Sequence, residues 1–441
     1  MAFTVVDIIS FAVPQAARQL EFQSTGGSSK YLISTDVPPP NSLASSAEFS
    51  QDKTNSFART NTHTFSTGTG ADSYNCFSWM VYIEDISGSA WPPSTSNEVP
   101  LLRVTDTSGT AIKLNITDNG DGTDLLELID AAGSTVGSSA DVFTMETWYR
   151  IDLIFQKDNS GSAMVWVTEW GEDTGAALID VSAQDFEAGG TTPESFFGGQ
   201  GGETPVSGVS VFMSTGIIAN SLDGEDDLPK HFFDIILDGT QTTGTTPDAD
   251  ETGDTTGTKD TITGTWQATL DGSLATGAYY NDSGSATPHG GMVDCAHPAG
   301  SLSNADFVYG ASWKFRTLSV PGGGGNMYCL WGWWDGSSTT YHTGTRVNAG
   351  TGVDWLNVTV DQSSADCPGV ADQFVLGHEW TASSAGTRYC RLIEAWAMVA
   401  VRYPLRSEIG TSHSLGQTIG RIDTSDAAGG ARGRVNVKIS G

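Results

Sequence analysis

Positive charge is scarce in this sequence. Only 17% of the 441 residues are charged, and 21 Lys and Arg stand against 52 Asp and Glu, so the formal net charge is −31. A protein that binds nucleic acid needs a basic surface to neutralise phosphate groups. The composition therefore excludes nucleic acid as an expected partner, and it favours a protein kept in solution by an acidic surface.

Long apolar segments are lacking as well. The last strongly apolar stretch, "RLIEAWAMVAVRYPLRSEI", is uninterrupted only from Ala395 to Val401, and a membrane-spanning helix needs about 20 apolar residues. We therefore expect no membrane insertion. The opening stretch, "MAFTVVDIISFAVPQAAR", has no positive residue before its apolar part and carries Asp7 within it, unlike a secretory signal. Synthesis in a cytoplasm without a signal peptide is the expectation.

Cysteine is rare and the common catalytic motifs are missing. The five cysteines are an odd set without a Cys-x-x-Cys pair, which argues against a disulfide framework or a zinc ribbon. The sequence contains no Gly-x-Ser-x-Gly elbow, no phosphate-binding glycine loop and no His-Glu-x-x-His motif. It therefore shows no sign of the usual sites of serine hydrolases, nucleotide-binding proteins or metalloproteases.

Glycine, serine and threonine are abundant and separate short apolar runs. Gly alone accounts for 53 residues. Between Asn97 and Trp170, runs such as "AIKLNIT" and "AMVWVTEW" alternate with turns such as "DNGDGT", a pattern typical of an antiparallel all-β sandwich. Within Trp148–Gln156 the apolar period is two, which predicts one buried strand face formed by Tyr149, Ile151, Leu153 and Phe155.

The sequence also contains an internal repeat. "SWMVYIEDISG", Ser78 to Gly88, matches "SWKFRTLSVPG", Ser312 to Gly322, in length, in its Ser-Trp start and in its final Gly. Further along, "GTDLLELID" in the first half matches "GVDWLNVTV" in the second. Similarity at this spacing predicts two copies of one fold and excludes a solenoid of short repeats.

These strand patterns resemble the concanavalin A-like (laminin G-like) jelly-roll family. "RQLEFQSTGGSSKYL", "NCFSWMVYI" and "TWYRIDLIF" look like the opening, inner and central strands of its first copy. "DQFVLGHEW" and "RLIEAWAMVAVRYPLRSEI" are similar to the closing strands of a second, shorter copy. The resemblance implies an all-β protein with two concanavalin A-like jelly-roll sandwiches in tandem, at residues 1–240 with an N-terminal arm and at residues 263–410.

Two polar segments complete this predicted organisation. Residues 241–262 are rich in Gly, Thr and Asp and are expected to form an acidic linker. Residues 411–441 form a small, polar C-terminal tail, which is mildly basic and is either an attachment segment for a neighbouring acidic subunit or a frayed terminus. The basic residues of this tail are Arg421, Arg432, Arg434 and Lys438.

The run "MYCLWGWWDG" is the most aromatic segment of the chain. Read as a strand, it places Trp331 and Trp333 on one face and Trp334 on the other, so both faces carry large aromatic side chains. Only one face can lie in its own sandwich core. The other is expected to pack on the partner domain or a neighbouring subunit, or to stack on a sugar ring. The candidate contact residues are Trp331, Trp333, Trp334, Tyr341 and Trp396.

The stretch Arg391–Arg402 alternates between two faces. Ile393, Ala395 and Ala397 share one face with the valines that follow, and Trp396 lies on the other with Met398. Period two indicates a strand and not a helix. The stretch is therefore predicted to be the closing strand of the second sandwich, with Trp396 available for a subunit contact.

Two acidic turns are candidate metal sites. "DNGDGTD" and "DGEDD" concentrate carboxylates on loops, and hard oxygen ligands are what calcium prefers. Neither has EF-hand spacing, and Asn-Gly and Asp-Gly are also ordinary hairpin turn residues. Calcium is thus a possible cofactor, and no other cofactor is expected. Its candidate ligands are Asp118, Asp121, Asp124, Asp223 and Asp226.

The resemblance and the missing motifs together suggest a function. Glycosidases of this fold carry a Glu-x-Asp-x-x-Glu strand, and that spacing is absent here. A laminin G-like sandwich without an export signal fits a protein made in a host cytoplasm and displayed on a virion surface after lysis. We expect a non-enzymatic phage structural protein, a capsid decoration or fibre component, with partners among the major capsid protein, copies of itself and host glycans. A free carbohydrate-binding protein is the alternative, followed by a polysaccharide-active enzyme.

Overall fold

The computed structural model describes 28 strands and their nearby turns. The described residues are 4–9, 21–23, 31–34, 36–38, 46–50, 57–59, 65–70, 73–85, 91, 98–106, 108–170, 172, 175–189, 195–199, 209–222, 232–241, 258–260, 278–282, 289–296, 307–320, 326–334, 342–345, 347–349, 352–361, 364–369, 373–381, 388–402, 420–423 and 434–437. Within these ranges every regular element is a strand, so the predicted all-β class is confirmed. The same ranges contain no helix capable of spanning a membrane.

The first sheet has eight strands, all antiparallel to their neighbours. Its members are β1 (Thr4–Ile9), β3 (Tyr31–Ser34), β4 (Ser46–Ser50), β6 (Tyr74–Asp85), β11 (Trp148–Gln156), β12 (Gly161–Glu169), β13 (Ile179–Gln184) and β15 (Val209–Leu222). The order is β13-β12-β11-β6-β15-β4-β3, and β1 also pairs with β15.

The second sheet has seven strands. Its members are β2 (Glu21–Gln23), β5 (Phe57–Arg59), β7 (Val99–Thr105), β8 (Thr110–Asp118), β9 (Asp124–Ile129), β10 (Thr135–Ala140) and β14 (Ser195–Gly199), in the order β10-β9-β8-β7-β14-β5-β2. One hydrophobic core joins the two sheets, because alternate side chains of both meet in it. Tyr149, Ile151, Leu153 and Phe155 all belong to this core, as predicted. The same period predicts that the opposite face of β11 meets solvent, but that face is buried as well, since Asp152 and Ile154 are 0% exposed.

The third sheet has eleven strands, drawn from the second half of the chain. Its members are β16 (Phe232–Gln241), β17 (Thr258–Asp260), β18 (Ala278–Asp282), β19 (His289–Ala296), β20 (Phe307–Val320), β21 (Asn326–Trp334), β22 (His342–Thr343), β23 (Val347–Ala349), β24 (Gly352–Asp361), β25 (Gln373–Thr381) and β26 (Arg388–Arg402). The predicted closing strand is β26, so the strand interpretation of that stretch is correct. A separate hairpin pairs β27 (Gly420–Asp423) with β28 (Arg434–Val437).

The predicted domain boundaries stay predictions. Strand β16 ends beside the proposed boundary at residue 240, and its partners β19 and β26 belong to the third sheet. Most of the proposed linker, including residues 242–257, lies outside the described residues.

The Ser-Trp repeat corresponds to two strands in equivalent positions. Trp79 of β6 and Trp313 of β20 are both fully buried. Strand β6 lies between β11 and β15, and β20 lies between β24 and β26. The match of "GTDLLELID" with "GVDWLNVTV" is wrong, because the first forms β9 of the second sheet whereas the second forms β24 beside β20. The topological counterpart of β24 is β11.

The first and third sheets meet through a small apolar cluster. Its buried members from the first sheet include Val5, Cys76 and Ile217, and Tyr309 and Ala400 contribute from β20 and β26. Strand β1 lies between these sheets, since it pairs with β15 and also contacts β20, β24 and β26. The strand is thus held by both halves of the chain.

Gly137 on β10 allows the two sheets of the first sandwich to approach each other at one edge. A Cβ atom at this position would lie 2.4 Å from Cγ2 of the buried Ile179 on β13. We expect Gly137→Ala to lower the free energy of unfolding by about 1–3 kcal/mol, the usual cost of overpacking. The matched control is Gly175→Ala, where a Cβ meets nothing within 4 Å. Urea denaturation measures both, and equal stability of the two variants would contradict this role for Gly137.

Candidate functional site

The aromatic strand β21 sends one of its tryptophans into the core. Trp331 is 4% exposed, and its ring lies 4.9 Å from that of Trp313. Its indole Nε1 donates a hydrogen bond to the carbonyl oxygen of Thr345 at 2.9 Å. A side chain this buried has no surface to offer a sugar or a subunit, so the predicted contact role of Trp331 is wrong. The alternation of side chains along β21 placed Trp331 on the correct face. It could not show whether a residue on that face lies at the centre of the core or at its edge.

Trp333 lies on the same face, two residues further along, and is only partly buried. The ring of His342 stacks on its indole, with the ring centroids 4.6 Å apart and the planes inclined by 17°. The indole Nε1 of Trp333 donates to the backbone carbonyl of Asp366 at 3.2 Å. The tryptophan therefore connects β21 to β22 on one side and to the turn at residues 364–369 on the other.

The carboxylate of Asp366 completes this site. It lies 2.9 Å from Nε2 of His342, and the side chains of His342 and Asp366 remain 33% and 43% exposed. The backbone N–H of Asp366 donates to Oγ of Ser364 at 3.1 Å, which fixes the turn. We call Trp333, His342 and Asp366 the aromatic site. It presents ring surface beside hydrogen-bonding groups, a combination suited to polyhydroxylated ligands and to protein surfaces.

Sequence reasoning found Trp333 but missed His342 and Asp366. The histidine and the aspartate are 24 residues apart in the chain, and neither belongs to a recognisable motif. Two other predicted contact residues, Trp334 and Trp396, lie in β21 and β26, but the structure does not describe their side chains. Tyr341 lies outside the described residues. Those three assignments stay predictions.

The acidic turn between β8 and β9 uses its carboxylates to hold its own backbone. Asp118 Oδ1 accepts from the N–H of Gly120 at 2.8 Å. Asp121 Oδ1 accepts from both the N–H and the hydroxyl of Thr123, at 3.0 and 2.6 Å. The hydroxyl bond is the main reason why the pKa of Asp121 is lowered. These are the contacts of an ordinary Asx-type turn.

Asp124 is turned away from this loop. Its carboxylate is buried and accepts from the N–H groups of Val142 and Phe143, at 3.1 and 3.3 Å. The predicted grouping of Asp118, Asp121 and Asp124 is therefore wrong. No cluster of three or more His, Cys, Asp or Glu side chains suited to a metal occurs in the described ranges. Asp223 and Asp226 lie outside them.

Substitutions at Asp124 separate its hydrogen bonds from its charge. Asp124→Ala removes the acceptor of one buried N–H group, that of Phe143, and of one partly buried N–H group, that of Val142, and we expect a loss of about 1–3 kcal/mol in the free energy of unfolding. Asp124→Asn keeps one acceptor oxygen and should lose less. The measurement is chemical denaturation of both variants and of the wild type.

The pH dependence of these variants provides a second readout. Burial raises the pKa of Asp124 above its ordinary 3.8, so its contribution to stability is full below that pH and is lost as pH rises through the folded value. Asp124→Asn should therefore gain stability relative to the wild type as pH rises from 3.8 towards neutrality. A stability difference between Asp124→Asn and the wild type that does not change with pH would contradict the raised pKa of Asp124.

The basic tail is described only in part. Arg421 and Arg434 lie in β27 and β28, where Arg421 pairs with Asn436 in register. Arg432 and Lys438 fall outside the described residues. The attachment role of this tail stays a prediction.

Known proteins are only distantly similar to this chain. No protein-family model and no curated protein matches the chain. Among solved structures it is similar to peanut lectin in complex with a peptide, with 11% identity, coverage of 48% of this chain and 97% of that one, and a TM-score of 0.28. The catalytic domain of a GH131 β-glucanase from Podospora anserina gives 13% identity, coverage of 51% and 89%, and a TM-score of 0.30.

A toxin domain shows the same degree of similarity. The receptor-binding domain of botulinum neurotoxin type G gives 11% identity and a TM-score of 0.27, and the match covers 50% of this chain and 49% of that one. The chain thus matches about half the length of the toxin domain. Similarity at these TM-scores carries no argument about function, and the all-β class rests on the strands described above.

Proposed function

We propose that the chain is a non-enzymatic structural protein of a phage virion, a capsid decoration or fibre component. In this role it displays its sheets at the virion surface, packs against the major capsid protein or copies of itself, and contacts host glycans. The observation that carries the binding role is the aromatic site, where Trp333 is held between His342 and Asp366 at the surface. The acidic composition, with a formal net charge of −31, suits a protein kept in solution by its surface charge.

The chemistry of the aromatic site supports binding in preference to hydrolysis. Glycoside hydrolysis generally needs two carboxyl groups on opposite sides of the scissile bond. The described part of the site supplies one, Asp366, and this carboxylate already contacts His342. A site of this kind can recognise a ligand without cleaving it.

Mass spectrometry of purified virions tests the virion assignment. The expected result is stoichiometric recovery of this chain with the particles, together with added density at the particle surface after negative staining with the purified protein. If the chain is absent from the particles, the assignment is wrong. The alternative, a free carbohydrate-binding protein, shares the aromatic site and would bind glycans without any particle association.

A substitution at Trp333 tests the binding role. We expect Trp333→Ala to weaken glycan binding on an array at least about tenfold, which corresponds to about 1.4 kcal/mol, because the stacking surface is removed. Asn348→Ala is the control, since Asn348 is exposed on the neighbouring strand β23. Circular dichroism establishes that both variants fold. Glycan binding that is equally strong in both variants would contradict the role of Trp333.

A further inference from the structure

A lysine is buried between the two halves of the chain. Lys314 projects from β20 and is 1% exposed. Its Nζ contacts Oδ1 of Asp7 on β1, which is itself 7% exposed. A buried amine needs such a partner, because burial without one is very costly.

An asparagine shares the same carboxylate oxygen. Asn357 lies directly opposite Lys314 in the register of β20 and β24, a position that brings the two side chains together on one face of the sheet. Its Nδ2 donates to Oδ1 of Asp7 at 3.4 Å. One oxygen of Asp7 is therefore adjacent both to the amine of Lys314 and to the amide nitrogen of Asn357.

The amide oxygen of Asn357 faces hydroxyl groups. Oγ of Ser312 donates to Oδ1 of Asn357 at 2.9 Å, and Oγ1 of Thr359 lies 3.1 Å from that hydroxyl. A hydrogen bond to this oxygen polarises the carbonyl group and stabilises negative charge that develops on it during attack at the carbon. The arrangement thus brings together an amine, a carboxylate, a carboxamide and a hydroxyl donor.

Burial favours the reactive form of the nucleophile. Desolvation lowers the pKa of Lys314, and the nearby Asp7 opposes that shift in part. Only a neutral amine carries the lone pair needed for attack on a carbonyl carbon. The environment therefore shifts Lys314 towards the form that can react.

We propose that Nζ of Lys314 and Cγ of Asn357 become joined in an intramolecular amide bond, with Asp7 as the proton carrier. The lone pair of Nζ attacks Cγ, and Asp7 removes a proton from Nζ while Ser312 stabilises the charge on Oδ1. The tetrahedral intermediate then breaks its Cγ–Nδ2 bond, and Asp7 returns the proton to the leaving nitrogen. One C–N bond forms, one breaks, and one ammonia molecule leaves, so neither an oxidant nor a reductant is needed.

The position of Asn357 suits this step. Asn357 is exposed, so the ammonia released from its side chain can leave to solvent while the amine of Lys314 remains buried. The new bond would tie β20 to β24 and close the loop that carries Trp333 and His342. A covalent closure of this kind restricts the unfolded chain much as a disulfide does, without depending on the redox state of the compartment.

The intact mass of the purified full-length chain tests the proposal. We expect a mass lower than that of the sequence by one ammonia molecule, after allowance for removal of Met1. Proteolysis followed by tandem mass spectrometry should give a branched peptide that joins the segments containing Lys314 and Asn357. An unmodified mass in the folded protein would overturn the proposal. Loss of one water molecule with a branch at Asp7 would overturn it as well, because Asp7 would then be the acyl group.

Single variants assign the roles. Lys314→Met and Asn357→Ala should both show the unmodified mass of their sequences, and Asn357→Ala is the more informative because its exposed position leaves folding intact. Asp7→Asn preserves the shape of the side chain but removes the proton carrier, so the branched peptide should disappear or form far more slowly. An ammonia loss that persists in Asn357→Ala would overturn the assigned acyl group. An undiminished branch in Asp7→Asn would overturn the role of Asp7.

Discussion

Replacing Asp7 by Ala is expected to lower the free energy of unfolding by about 3–5 kcal/mol, the usual cost of removing one partner from a buried ion pair. Lys314 is 1% exposed, and the carboxylate of Asp7 contacts its amine. In the variant the ammonium would be buried without an anion. Cooperative unfolding in urea or guanidinium chloride measures the loss. Stability should fall whether or not the wild type contains the Lys314–Asn357 amide bond. If the bond is present, Asp7→Ala also removes the proton carrier proposed for its formation, so the stabilisation by that bond is lost as well.

A double variant separates lost charge pairing from lost packing. Asp7→Ala combined with Lys314→Met leaves no buried charge, so it should be more stable than Asp7→Ala alone. The pH dependence should differ too. Since desolvation lowers the pKa of Lys314 from its ordinary 10.5, its contribution to stability is present above that value and is lost as pH falls through the folded pKa.

The stability of Asp7→Ala should consequently rise as pH is raised towards 10.5, and that of the double variant should show no such rise. If the single and double variants were equally stable at every pH, Lys314 would not be the source of the destabilisation. The ion pair would then have little importance for the contact between the two halves.

Replacing Trp313 by Ala is expected to cost about 3–5 kcal/mol in the free energy of unfolding, as large aromatic truncations in a core do. Trp313 is fully buried, and its ring lies 4.9 Å from Trp331 and 5.4 Å from Phe374. Loss of this ring removes the support under β21. The aromatic site begins two residues beyond Trp331, so glycan binding should weaken together with stability.

Trp79→Ala is the matched control for this effect. Trp79 occupies the equivalent Ser-Trp position in β6 and is also fully buried, but it belongs to the core of the first sandwich. Its replacement should cost a similar amount of stability and leave glycan binding by the folded protein unchanged. Thermal denaturation and a binding titration below both transitions distinguish the two variants. Equal losses of binding would show that the aromatic site does not depend locally on Trp313.

Local periodicity predicted the strands because it reflects local geometry. The period of two in Trp148–Gln156 and in Arg391–Arg402 follows from the alternation of side chains along any strand, and both segments are strands. The same rule placed Trp331 and Trp333 on one face. It could not show that Trp331 lies under Trp313 while Trp333 reaches the rim, because that difference depends on which strands lie opposite.

The remaining features depend on contacts between distant parts of the chain. Asp7 and Lys314 are 307 residues apart, and nothing in the sequence around Asp7 indicates a partner at that distance. Asp124 looked like a calcium ligand because its neighbours are acidic and glycine-rich. Its actual partners, Val142 and Phe143, lie beyond the whole of β9 and β10. The residue pattern within a single strand does not indicate hydrogen-bond partners that lie elsewhere in the chain.

The position of β1 also constrains the order of events during synthesis. This strand leaves the ribosome before all its partners, yet it pairs with β15 and packs on β20 and β24. At a translation rate of about 5–20 residues per second, the residues up to Lys314 appear on the order of tens of seconds after Asp7. Until β15 emerges, the backbone groups of β1 have no partner strand, and until β20 emerges Asp7 has no amine to pair with. The docking of β1 on β20 and β24 is therefore a late step of folding. A chain truncated before β20 keeps the pairing with β15 but leaves the side of β1 that carries Asp7 uncovered, so β1 should be cleaved by proteases more readily than in the full chain.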